Sequence, residues 1–166
     1  MKLLLFAMIP AAACGGHAWA PPRANDAAAY RDVALQISGA VDRHLANGTT
    51  AAASSSSCRA EHGRYETEVR PLLDRMSAAS GRMDSWMRCT DAGPAEMENV
   101  CESMRAELDR HAFDACRSSD AALNLAELNR HRERMAEWAR QEAEDASAMM
   151  TLESCAAFTA CGSCGH

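Results

Sequence analysis

Four stretches of this chain carry apolar residues at alternating steps of three and four, and none shows a competing period of two. That spacing draws one apolar stripe along a helix, whereas a strand turns successive side chains to opposite faces. The first stretch, about Asn25 to Asn47, carries Tyr30, Ala34, Ile37, Val41 and His44. The second, about Glu61 to Met87, carries His62, Tyr65, Val69, Leu72, Met76, Ala79, Met83 and Trp86. Pro71 interrupts it and is expected to kink the helix or mark its true start. The third begins near Pro94, a residue suited to a first turn, and carries Met97, Val100, Met104, Leu108, His111 and Ala115. The fourth, about Ala121 to Met150, carries Leu128, His131, Met135, Trp138, Glu142 and Met149.

Size and composition agree with this pattern. A chain of 166 residues, 48% hydrophobic and 24% charged, has room for one globular core. Ala and Met are abundant while aromatics stand at 5%, a bias that favours helices because unbranched side chains lose least entropy there. The expected fold is all-α, an up-down-up-down four-helix bundle over residues 25–150, followed by a cysteine-rich tail at 151–166. Asn47-Gly48 reads as a helix stop, and the Thr-Ala-Ser run from Thr49 to Ser57 as a flexible connection. That connection is long enough to permit an alternative, a three-helix core with a loosely docked first helix. Ser118, Ser119 and Asp120 read as a turn that caps the fourth helix.

The N-terminus reads as an export signal. Lys2 precedes the short apolar run Leu3 to Ile9, then small residues Ala11 to Ala13 and Cys14-Gly15-Gly16. This is similar to a bacterial lipoprotein signal, with residues 1–13 removed, Cys14 lipidated and residues 14–24 a tether, although Ala11 stands where that motif prefers Leu. The alternative is ordinary cleavage after Ala20, leaving Pro21 next and giving a soluble secreted protein. The expected location is the cell envelope, at the periplasmic face or outer membrane, with membrane contact through the N-terminal lipid. A formal charge of -6, with bases interleaved among acids, argues against a nucleic-acid partner.

Export makes disulfides the first reading of the cysteines. With Cys14 set apart from the eight, seven remain. In an antiparallel bundle Cys58 and Cys116 fall at one end and are expected to pair, and Cys89 with Cys101 is the simplest bridge at the other. An odd thiol is then left to remain free, bind metal or join a second chain, so a homo-oligomer, disulfide-linked or non-covalent, is a candidate partner.

No Gly-rich phosphate loop, paired-His zinc-protease motif, calcium loop or Gly-x-Ser-x-Gly elbow is present, so no enzyme is expected. Covalent haem attachment needs Cys-x-x-Cys-His, and the tail instead reads Cys161-Gly-Ser-Cys164-Gly-His166. The intervening Gly165 counts against haem and leaves a haem-binding bundle as a second alternative. As a metal clip, Cys161, Cys164 and His166 offer three ligands, with Cys155 a fourth.

Four histidines, one per helix, lie on the apolar stripes: His44, His62, His111 and His131. All four fall toward the same end of an antiparallel bundle. Taking the turn near Ser119 as a mirror, His111 and His131 differ by roughly 6 Å in height. The turn near Asp91 places His62 on the order of 10 Å from His111, which argues against one four-histidine site. The expectation is a two-ligand site from His111 and His131, completed by a carboxylate or by Met76 or Met104 at nearly the same level. Imidazole, thioether and thiolate together favour copper over zinc as the cofactor. The leading expectation is thus a non-enzymatic, lipid-anchored bundle that binds a soft or borderline metal, copper before zinc. The alternative is a disulfide-stapled structural or partner-binding module with no metal. Ligand atoms converging within about 4–5 Å favour the first, and scattered histidines each bonded to a neighbour favour the second.

Overall fold

The computed structural model describes residues 22–87 and 94–151. They form four helices: α1 (Pro22–Ala51), α2 (Ser55–Met87), α3 (Pro94–Asp114) and α4 (Ala121–Thr151). Each packs on the next along the chain and α4 returns to α1, which closes a four-helix ring in up-down-up-down order. The described stripe side chains face inward. Tyr30, Ala34, Ile37, Val69, Met76, Met83, Met104, Leu108 and Met135 are all buried in one core, with Val100 and Trp138 partly buried against it. α1 contributes Ala27 through Val41 to that core, so the loosely docked alternative does not hold. No helix among the described residues is long and apolar enough to cross a membrane.

Two expected punctuation marks behave differently. Asn47-Gly48 does not end α1, which continues to Ala51. The reason is steric: a Cβ built on Gly48 would lie 2.5 Å from Leu128 Cδ2, so glycine here lets α4 approach α1 closely. The supposed flexible run is correspondingly short, since α2 begins at Ser55, and the Ser54 hydroxyl accepts the Ser57 amide at 3.2 Å as its cap. Asp120 caps α4 as expected, accepting the Ala122 amide at 2.8 Å. Pro71 lies inside α2, which runs through it as one helix.

Cys58 and Cys116 form the expected disulfide, with Cα atoms 5.5 Å apart. Cys116 sits just past α3 at φ 60°, the left-handed conformation in which helices commonly end. The expected Cys89–Cys101 bridge is corrected: Cys101 is a free thiol, fully buried on the core face of α3 beside Tyr30. Cys89 lies outside the described residues, as do Cys14, the tether and the tail with Cys155, Cys161, Cys164 and His166.

Candidate metal centre

The end of the bundle closed by Cys58–Cys116 holds all four stripe histidines in one cluster. His111 and His131 stack with ring centroids 3.9 Å apart, so the expected meeting of these two is found. His62 lies 4.9 Å from His111, and His44 lies 5.4 Å from His111 and 6.3 Å from His131, centroid to centroid. The expectation that His62 stands too far from His111 is thereby overturned. It took the connection between α2 and α3 as the mirror, but α2 has 33 residues and α3 has 21. Register is set at the other end, where the disulfide ties the chain one turn before His62 to the chain just past His111.

One ligand-capable nitrogen from each of His44, His62 and His111 lies within 4.8 Å of the other two, and all three side chains are buried. They line a cavity of about 20 Å³, together with Gly48, Cys58, Glu61 and Cys116. That is room for about one water or one ion, and for nothing organic. Met76 and Met104 are fully buried in the apolar core but do not line this cavity. They are not part of the cluster, because the imidazoles are backed by carboxylates instead.

Three buried glutamates stand behind the rings. Glu107 Oε1 lies 3.2 Å from His131 Nδ1, and Glu127 Oε1 lies 3.4 Å from His111 Nδ1. Glu61 Oε1 faces His44 Nδ1 at 3.6 Å. The pairs on α3 and α4 are crossed, each glutamate serving the histidine of the opposite helix. Arginines at the rim neutralise them: Arg134 and Arg110 reach Glu107, Arg110 and Arg130 reach Glu127, and Arg64 reaches Glu61. Burial alone would raise Glu107, but hydrogen bonds from His131, Arg110 and Arg134 outweigh it and hold the carboxyl well below its usual range.

Desolvation pushes all four imidazoles down, His44 to about 3, with His62, His111 and His131 lowered in the same direction. A neutral imidazole is the form that ligates metal. The carboxylates then fix which nitrogen carries the proton. His131 donates from Nδ1 to Glu107, so its Nε2 accepts the Tyr65 hydroxyl at 2.8 Å, and both of its nitrogens are bonded. His111 donates from Nδ1 to Glu127, so its Nε2 is a lone pair, and it faces His44 Nε2 at 3.1 Å. If His44 donates from Nε2, its Nδ1 becomes a lone pair turned toward the Glu61 carboxylate. Indeed His44 Nδ1 and both nitrogens of His62 are buried with no hydrogen-bond partner among the described residues. A cation accepting both Nε2 lone pairs would free His44 Nδ1–H for Glu61 and give His62 a partner.

His44 and His62 stand on readable stripes, but the carboxylates behind the cluster leave a different trace. Ala106-Glu-Leu-Asp-Arg-His111 and Ala126-Glu-Leu-Asn-Arg-His131 are near copies, and Asp42-Arg43-His44 repeats their end. In both full copies Glu precedes His by four residues, one helical turn, which places both side chains on one face. Comparison with protein-family models, with curated proteins and with solved structures finds no match to this chain.

Proposed function

We propose that this chain is a metal-binding protein that holds one borderline divalent ion, zinc or copper, on His44, His62 and His111. The observation that carries the reading is the convergence of three neutral imidazoles around a space sized for one ion, with buried nitrogens of His44 and His62 short of partners among the described residues. Carboxylates behind the ring nitrogens support it, because ligating histidines usually donate their second N–H to such an acceptor. An all-nitrogen donor set suits zinc and copper(II) alike, so the soft-sulfur argument for copper(I) does not extend to this cavity. A space of about 20 Å³, with room for one ion and no organic substrate, supports binding rather than turnover. The N-terminal signal supports a place in the cell envelope, anchored through Cys14.

The decisive titration uses full-length protein whose tail cysteines are changed to Ser, with zinc(II) and copper(II) added against a competing chelator. The expected result is one ion per chain, bound more tightly than micromolar, and weakened beyond about 100-fold by His111→Ala, since losing an outer partner alone costs about 10–100-fold. Binding no tighter than micromolar, or binding indifferent to that substitution, would overturn the proposal.

A further inference from the structure

The Cys58–Cys116 disulfide forms part of the wall of the same small cavity as His44, His62 and His111. Cys58 lies one turn before His62 on α2, and Cys116 lies about one turn beyond His111, at the end of α3. The two cysteines therefore line the same cavity as the imidazoles, beside His62 on α2 and His111 on α3, with His44 reaching it from α1. The two residues also differ in exposure, Cys58 being half-buried and Cys116 only 7% exposed. From this we infer that the disulfide is a masked pair of ligands, and that its reduction converts an all-imidazole site into a mixed thiolate–imidazole site that takes a soft ion, copper(I). The inference rests on reading the histidine cluster as a metal site.

The exchange is ordinary thiol–disulfide chemistry with a dithiol as reductant. One of its thiolates attacks the accessible Cys58 sulfur, a mixed disulfide forms there, and the electron pair of the broken S–S bond leaves on Cys116. The second thiol of the reductant then attacks its own sulfur in that mixed disulfide, releases Cys58 as thiolate and closes the reductant to a disulfide. Two electrons and two protons pass from the dithiol to the pair. Cys58 occupies the first turns of α2, where the helix N-terminus favours a thiolate. Cys116 is released beside His111 and His62, and His62 has no hydrogen-bond partner at either nitrogen among the described residues. Neither cysteine belongs to the core that runs from Ala27 to Met149, so the bundle is expected to keep its helices on reduction, at lower stability.

The experiment uses the full chain with Cys14, Cys89, Cys155, Cys161 and Cys164 changed to Ser and Cys101 to Ala, leaving only this pair. Cobalt(II) is the probe, added to oxidised protein and to protein reduced by dithiothreitol and freed of it under anaerobic conditions. Reduction is expected to add a sulfur-to-cobalt charge-transfer absorption absent from the oxidised protein. Copper(I) affinity, measured against a competing chelator, is expected to rise at least about tenfold on reduction, and His62→Ala to lower it by about tenfold or more. No charge-transfer band on reduction, loss of helix by circular dichroism, or copper(I) affinity indifferent to His62→Ala overturns the inference. Should the oxidised protein bind cobalt while reduction adds no band, the mixed site falls and the three-imidazole site stands. Should only the reduced protein bind, with dependence on His62, the three-imidazole reading falls and the mixed site stands.

Discussion

The same core buries two polar clusters, and they are built on opposite terms. One joins Tyr30, Cys101 and Glu142, from α1, α3 and α4, roughly 15–20 Å along the helices from the histidines at about 1.5 Å per residue. There the Tyr30 hydroxyl donates to Glu142 and lies 4.0 Å from Cys101 Sγ. Burial raises the Tyr30 phenol and pushes the Cys101 thiol up to about 11, so both stay neutral, and among the described residues neither Tyr30 nor Cys101 has an orphaned polar atom. The histidine cluster, equally buried, leaves three nitrogens without hydrogen-bond partners among the described residues, one on His44 and two on His62, and both rings line the same small cavity. A polar group buried for structure closes its own valences, because an open one costs about 1–3 kcal/mol. Valences left open beside a space sized for one ion are what a ligand-binding centre requires.

That contrast can be broken in several ways. The largest effect is expected at the staple. Replacing Cys58 and Cys116 by Ser removes a link across 58 residues of sequence and should cost about 4 kcal/mol in urea unfolding, mainly by freeing the unfolded chain. Next comes Tyr30→Phe, which takes a donor from a buried carboxylate and should cost about 1.5–3 kcal/mol in the same measurement. A neutral result would mean that this cluster is not the closed set described above. Glu127→Gln should weaken zinc binding by about 10–100-fold in a chelator competition, because the His111 ring loses the acceptor that fixes its tautomer. The smallest change is expected from His62→Leu in metal-free protein, stability shifting by no more than about 1 kcal/mol and in the stabilising direction, since an unpartnered polar group gives way to an apolar one. A destabilisation as large as that of Tyr30→Phe would erase the difference between the two clusters.

Much of the bundle was legible in the stripes, since periodicity reports which side faces inward whatever the neighbours are. Every stripe residue from Tyr30 to His44 is buried, and so are His62 through Met83. Local chemistry was also readable at Asp120, whose carboxylate caps α4, and at Cys58 and Cys116, which antiparallel order brings to one end. The role of Gly48 is not legible in its neighbours because it is tertiary: the contact that requires it comes from Leu128 on another helix. Heights do not follow from the turn because a turn fixes the register of two helices only when both end level with it, and α2 and α3 are unequal. The glutamates are hard to read from the stripes because a charge beside a stripe usually faces solvent, and only the crossed pairing of Glu107 with His131 and Glu127 with His111 draws them in. The Glu-x-x-x-His repeat on α3 and α4 was the available signal.

The central claim is that imidazoles of this cluster, rather than sulfur from the tail, hold a metal ion. X-ray absorption at the zinc edge examines that directly, on oxidised full-length protein with Cys155, Cys161 and Cys164 changed to Ser and one equivalent of zinc added. The account predicts a first shell containing three imidazole nitrogens at about 2.0–2.1 Å, with the outer-shell scattering of their rings. A first shell without imidazole nitrogen, or zinc that gel filtration strips from the chain, would contradict it.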